Sequence, residues 1–270
     1  MGSTVKNHYN LIFTELILVL LAASLSFGQE SYVCSRATYY GSPDCYGNPT
    51  GACGFGEYGR TVNNGEVSGV SRLYRNGTGC GACYQVRCKV PTHCSDEGTK
   101  VVVTDYGQGD NTDFILSLRA YANLARPNMA AELFAYGVVD VEYRRIPCGY
   151  SSNLMFKVHE HSKFPNYLAI VPIYQAGIYD ITAVELCRYI YIRLLTFIYL
   201  FVTEDCKEWR GMRRAYGAVW DMANPPVGGV NVRFQVSGGA YGDGQWVQIA
   251  SAIPSEWKAG IAYDTSFQFN

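Results

Sequence analysis

The chain has 270 residues, enough for one large domain or two ordinary ones with a sizeable core. Its 22 basic and 23 acidic residues nearly cancel, which leaves no electrostatic footprint for nucleic acid. The 22 Tyr and 28 Gly point to turn-rich β structure with aromatic surfaces rather than to a helical bundle.

At the N-terminus, Lys6 and His8 precede a mostly apolar run over residues 11–25, and small residues follow near Ser26 and Gly28. That layout predicts a cleaved secretory signal over residues 1–28. The mature chain is then extracellular, where oxidised cysteines are the default. Eight of the ten cysteines lie between Cys34 and Cys148: these two with Cys45, Cys53, Cys80, Cys83, Cys88 and Cys94. A dense, even set marks a disulfide-stapled domain, although spacing alone does not fix the pairing. Cys80-Gly81-Ala82-Cys83 also has the spacing of a metal or redox pair. His93 is available as a ligand but no second such pair exists, so a structural staple is expected, with no metal and no cofactor.

Within residues 31–149 the pattern predicts strands near 35–40, 71–74, 84–88, 100–104 and 138–144. One helix is expected over 118–124, capped by the Ser117 hydroxyl and stopped before Pro127. About six strands with one helix suit a small closed barrel. Asn76-Gly77-Thr78 is a glycosylation sequon in a Gly-rich loop. Asp105 closes the apolar strand Val101-Val102-Val103, where a barrel would present it to a groove; capping of the following turn is the plainer role. Inverting glycoside hydrolysis needs a second carboxyl about 6.5–9.5 Å away, and Asp113 and Asp110 are the candidates.

After Cys148 the texture changes to alternating strands near 155–159, 167–174, 179–186 and 230–236. Ala176-Gly177 and Pro225-Pro226-Val227-Gly228-Gly229 punctuate them. Short strands at near-regular spacing read as a β-sandwich over residues 154–270, joined by a short linker. His159 and His161 are expected as strand surface rather than as a metal pair. The run 187–203 is apolar, β-branched and aromatic, without Gly or Pro, and Arg193 interrupts it. It is too short for a transmembrane helix and has the profile of an aggregation-prone strand. It reads as an insertion, of the kind translated intron sequence would give, with Cys187 inside it and Cys206 beyond it.

Several segments, in order and spread over the whole chain, resemble the plant expansin family, most closely its expansin-like B branch. They are Ala37-Thr38-Tyr39-Tyr40-Gly41, Gly51-Ala52-Cys53-Gly54-Phe55-Gly56, the stretch from Gly79 to Cys88, Val103-Thr104-Asp105 and Val141-Glu142-Tyr143-Arg144-Arg145-Ile146-Pro147-Cys148. In the second half they are Phe164-Pro165-Asn166-Tyr167, Arg214-Ala215-Tyr216-Gly217-Ala218-Val219-Trp220 and Ile253-Pro254-Ser255-Glu256-Trp257-Lys258. The resemblance implies an all-β fold, a six-stranded double-psi β-barrel followed by an immunoglobulin-like β-sandwich. It is similar to family 45 endoglucanases and barwin-type proteins in the barrel, and to grass-pollen group-2 allergens in the sandwich. It also implies the pairs Cys53–Cys80, Cys83–Cys148 and Cys88–Cys94; Cys34 and Cys45 remain, and are expected to pair with each other.

The resemblance further implies a groove at Thr38, Tyr40, Asp105 and Tyr106, and a glycan-stacking surface at Tyr167 and Tyr216. Trp220 and Trp257 are expected in the core, with Trp209 undecided. In typical expansins a His-Phe-Asp-Leu-Ser segment supplies an Asp that resembles the endoglucanase acid. Here the segment is Asp113-Phe114-Ile115-Leu116-Ser117, and Ile115 cannot donate a proton. The expected function is that of a secreted, monomeric cell-wall protein and not an enzyme. It would bind cellulose or matrix glycans such as xyloglucan or xylan, without nucleic acid or cofactor, and loosen their association without cutting bonds. The rivals are a degenerate endoglucanase using Asp105 with Asp113 or Asp110, and a barwin-like glycan-binding defence protein.

Overall fold

The computed structural model describes residues 31–109, 111–189, 206, 208–238 and 244–269. The expected signal segment 1–28, Asp110 and most of the apolar run lie outside these. The first half contains β1 (Val33–Tyr39), α1 (Glu57–Thr61), β2 (Val67–Val70), β3 (Cys83–Cys88), β4 (Thr99–Tyr106), β5 (Phe114–Leu116), α2 (Leu118–Ala122), α3 (Ala130–Phe134) and β6 (Val139–Ile146). The six strands close into a barrel in the order β1-β5-β2-β4-β3-β6. Two of its pairings, β1 with β5 and β2 with β4, are parallel and the rest antiparallel. Closure pairs every strand edge and surrounds a core that includes Val86, Val103, Phe114, Leu116 and Val141. Phe114, Tyr84 and Tyr143 meet edge to face in it, with centroids 5.0–5.8 Å apart.

Two local expectations need correction. Residues 71–74 enter a 3₁₀ turn, Arg72–Gly77, because Arg75 (φ 47) and Asn76 (φ 53) adopt left-handed conformations that no strand can hold. The strand lies just before it, at Val67–Val70, where all four residues are buried and no polar–apolar alternation marks it. Ser117 does cap α2, its hydroxyl accepting from Ala120 N at 3.2 Å, but the helix ends at Ala122.

Disulfides join Cys53 to Cys80, Cys83 to Cys148 and Cys88 to Cys94. The expected Cys34–Cys45 bridge is absent: both thiols are free and exposed. Cys34 sits near the start of β1 and Cys45 in the turn beyond its far end. A strand rises about 3.3 Å per residue, whereas a bridge needs Cα atoms within about 7 Å.

The second half contains β7 (Met155–Val158), β8 (Tyr167–Ile173), β9 (Asp180–Tyr189), β10 (Arg210–Gly211), β11 (Arg213–Tyr216), β12 (Val219–Ala223), β13 (Gly229–Ser237), β14 (Gln245–Ile253) and β15 (Ala262–Asp264). They form a four-stranded sheet, β10-β9-β13-β14, and a five-stranded sheet, β11-β12-β8-β7-β15. Phe156, Leu168, Ile170 and Trp220 from one meet Leu186, Val232, Phe234 and Val247 from the other in a shared core. Cys187, Arg188 and Tyr189 are paired in register with Asn231, Val230 and Gly229, so they belong to β9 and not to an inserted run. Cys187 is bridged to Cys206.

The barrel and the sandwich share a seam. Along β8, Leu168 and Ile170 point into the sandwich, while Ala169, Val171 and Ile173 join the barrel's core cluster together with Val219. A strand buried on both faces explains the unbroken apolar reading of this segment. Asp180 closes the seam electrostatically: it pairs with Arg75 at 2.8 Å and with Arg145 at 3.0 Å, both from the barrel. Arg214 lies over Trp220, 4.2 Å from its ring centroid, and donates to the carbonyls of Gly217 (2.7 Å) and Ile181 (2.5 Å). Replacing Asp180 with Ala leaves two arginines at the seam without their carboxylate. The variant should lose about 2 kcal/mol of unfolding free energy, read as a lower urea midpoint. An unchanged midpoint would show that the apolar row of β8 alone holds the seam.

Candidate functional site

A bulge aims the groove carboxylate. β2 pairs Ser68 with Val103 but Gly69 with Asp105, so the register skips Thr104 and the chain turns Asp105 outward at the end of β4. Asp105 then lines an open cleft of about 360 Å³ together with Tyr40, Asn48, Gly69, Tyr106 and Ile115. Its Oδ1 accepts from Ala52 N (2.6 Å) and from Tyr106 N (2.7 Å), and its Oδ2 accepts from Asn48 Nδ2 (3.1 Å). Three donors hold the carboxylate as a fixed acceptor. The Tyr40 hydroxyl is buried and has no partner of good hydrogen-bond geometry among the described residues; burial, then the Asp105 charge, opposed by the Asn48 backbone, pushes its pKa up to about 12. It therefore stays protonated, a neutral hydroxyl buried behind the cleft wall. Tyr106, 43% exposed, is backed by Tyr74 with ring centroids 5.1 Å apart.

Ile115 lies in this cleft where the family acid was expected, and its Cδ1 occupies the space that a Cβ at Gly107 would take. Among the described lining residues, Asp105 is the only carboxylate. Asp113 lines a separate cleft with Arg36 and Arg72. It is 5% exposed and accepts from Ser35 Oγ (2.6 Å) and Arg72 Nε (2.9 Å). That pairing makes it a structural acceptor rather than a partner for Asp105. Asp110 lies outside the described residues. Thr38 is not brought to the cleft; its hydroxyl donates to Gly137 O at 2.9 Å.

On the sandwich, Tyr167 and Tyr216 both belong to the five-stranded sheet. The half-buried Tyr167 donates its hydroxyl to Asp221 Oδ2 (2.8 Å), and Arg213 holds the same carboxylate at 2.6 Å. The Arg213 hydrogen bonds keep the Asp221 carboxyl below the usual range. Tyr216 is 45% exposed and lies against the barrel: a Cβ at Gly54 would approach its Cε2 to 2.8 Å. Trp220 and Trp257 are buried, as expected. Trp209 meets the Arg233 guanidinium on the other sheet, and Trp246 meets the same group, with 4.5 and 4.6 Å to the two ring centroids.

Sequence reasoning missed the segment that joins these surfaces. Ala52 N holds Asp105, Cys53 O accepts from Ala218 N (2.9 Å), and Gly54 seats the Tyr216 ring. The Tyr74 hydroxyl donates to Ala52 O (3.1 Å). The signal available was the Gly-Ala-Cys-Gly-Phe-Gly motif itself, whose small residues permit such close approach. Among the described residues no group of three His, Cys, Asp or Glu is placed to hold a metal ion. His159 and His161 lie beyond the end of β7 rather than on a strand surface, with ring centroids 4.9 Å apart and planes tilted by 49°, and His159 is buried.

His159 supports Tyr216. Its Nδ1 accepts from His161 N (3.2 Å), so the neutral ring carries its proton on Nε2 and donates it to the Tyr216 hydroxyl, 3.1 Å away. Burial, aided by His161 and Lys157 and opposed by Glu160, lowers the His159 pKa. A depressed folded value means stability that is present above the unfolded value of about 6.5 and lost as pH falls through the folded value. The wild-type melting temperature should therefore fall more between pH 7.5 and pH 5 than that of His159→Gln. Parallel pH profiles would remove the group from this role.

Comparison with known proteins agrees with the geometry. A profile of the expansin C-terminal domain matches residues 154–254, and a double-psi β-barrel profile described as lytic transglycolase matches residues 66–143. Expansin-like B1 of Arabidopsis thaliana is 54% identical over 258 residues, covering 95% of each chain. Expansin-like B1 of Oryza sativa subsp. japonica is 41% identical over 271 residues, covering 99% of this chain and 98% of that one. The crystal structure of an apo expansin from Clavibacter michiganensis has the same fold, with a TM-score of 0.63 at 18% identity over 89% of this chain and 98% of that one. A mutant of that bacterial protein, solved in complex with cellohexaose, superposes with the same score. The chain belongs to the expansin family, among its expansin-like members.

Proposed function

We propose that this protein is secreted to the plant cell wall, where it binds β-linked polysaccharide chains and loosens their association without hydrolysing them. The observation that carries the reading is the cleft at Asp105. Its carboxylate is tied down by three protein donors, and the described lining opposite offers the alkyl group of Ile115 instead of a proton donor. Acid–base assistance contributes roughly 10²–10⁴-fold to such hydrolysis, and a groove without the acid forgoes it. Hydroxyl, carboxylate and aromatic groups remain, and these suit sugar hydroxyls and the apolar C–H faces of a glycan.

The binding surface runs from the cleft across residues 52–54 to Tyr216 and Tyr167. Chains held along this line would exchange contacts with one another for contacts with the protein. The cellohexaose bound by the bacterial relative supports cellulose-type chains as the ligand class. The acceptor-rich cleft and the seated Tyr216 make the barrel and sandwich one surface, so binding energy gained on both can be spent on separating neighbouring polymers.

Purified full-length protein should co-sediment with cellulose, extend heat-inactivated plant wall strips under load, and release no reducing sugar. Sustained reducing-sugar release that disappears in Asp105→Asn would overturn the non-hydrolytic reading. Tyr216→Ala and Tyr167→Ala should each weaken cellulose binding about tenfold, the loss of one stacking contact of about 1.4 kcal/mol. Chitin binding with no retention on cellulose would favour the barwin-like alternative instead.

A further inference from the structure

The sequon Asn76-Gly77-Thr78 lies on a turn that backs the cleft residue Tyr106 and packs in the seam. In the 3₁₀ turn Arg72–Gly77, Arg72 pairs with Asp113 at 2.7 Å and Tyr74 backs Tyr106. Arg75 reaches Asp180, and Gly77 is buried so tightly against Gly217 that a Cβ there would collide with its carbonyl. Asn76 falls between the ion-paired Arg75 and the buried Gly77. It is exposed, with φ 53 and ψ 36, and its side-chain amide engages no partner among the described residues. The fold therefore fixes the backbone on both sides of Asn76 and leaves its residue exposed to solvent. Gly217 is the residue after Tyr216, so the turn that carries Asn76 packs beside the end of the strand that carries Tyr216.

We propose that Asn76 carries an N-linked glycan that stands at the rim of the polysaccharide-binding surface, between the cleft and Tyr216, and restricts which polymers reach it. The proposal rests on the secreted, wall-binding reading given above. In the transfer, Asn76 Nδ2 forms a bond to C1 of an oligosaccharide carried on a polyprenyl diphosphate. The C1–O bond breaks, the diphosphate leaves with the electron pair, and the amide gives up one proton. The chain receives the glycan as it enters the secretory lumen, and the folded turn leaves the modified residue room in solvent. A bulky hydrated oligosaccharide at this rim obstructs a broad crystalline face, whereas a single chain can still thread along the surface.

The test is to express the full chain, with its own N-terminal segment, in a eukaryotic secretory host. Intact and peptide mass would be compared for wild type, Asn76→Gln and Thr78→Ala. The last removes the sequon while leaving Asn76 in its left-handed turn, so it serves if Asn76→Gln folds poorly. The expected result is an oligosaccharide mass on the Asn76 peptide of the wild type alone. The sequon variants should bind microcrystalline cellulose about threefold more tightly than wild type, with cellohexaose affinity unchanged. Secreted wild type with unmodified Asn76 overturns the site, and a chain that never enters the secretory route overturns both the site and the secreted reading. An occupied Asn76 with equal cellulose binding in all three proteins overturns the rim role. Occupancy with no glycan bound by any form overturns the wall-binding reading and leaves the modification standing.

Discussion

Ala52, Cys53 and Gly54 are where this structure is tied together. Each uses a different backbone or steric feature: an N–H on the groove carboxylate, a carbonyl on Ala218, and a bare Cα under the Tyr216 ring. The Cys53–Cys80 bridge anchors the segment to the Gly-rich stretch that precedes β3. Because the three residues are consecutive, a displacement of one moves the others, and cleft and sandwich surface cannot be repositioned independently. Gly217 completes the arrangement from the other side, since a Cβ there would meet Cys53 Cα at 2.6 Å.

The rest of the seam reads as reinforcement of that contact. The outward row of β8 supplies non-directional burial, which favours closeness without fixing an angle. Asp180, paired with Arg75 and Arg145, and Arg214, which donates across to Gly77 O at 3.4 Å, add directional pairs that do fix one. The combination gives a rigid bearing for two surfaces that are individually small. Ordinary inter-domain contacts permit relative motion, and an apolar row with charged clasps at its end works against it.

Much of this was legible in the sequence, and the failures are physically informative. The closed barrel, the sandwich core, the three bridges and the substitution at Ile115 followed from motif order and the resemblance to expansins. β2 was missed because a strand buried on both faces carries no alternation. The neighbouring turn was misread because left-handed residues other than Gly leave little trace in composition. Pairing Cys34 with Cys45 by elimination ignored the length of β1 between them. Thr38 matched a motif, yet Gly137 claims its hydroxyl from about a hundred residues away, a distance no local pattern reports. The junction at residues 52–54 was hidden for the same reason, since its partners lie at 216–218.

The bridge between Cys187 and Cys206 has a consequence for chain length. It fixes both ends of the intervening segment at the end of β9, where Leu186 is also held opposite Arg210. Closing a flexible loop costs entropy that grows only with the logarithm of its length, and a covalent clamp removes even that dependence from the strands it joins. The sandwich is thereby insulated from how many residues are threaded through this gap. Length variation between the two cysteines therefore carries only a small entropic cost for the strands on either side.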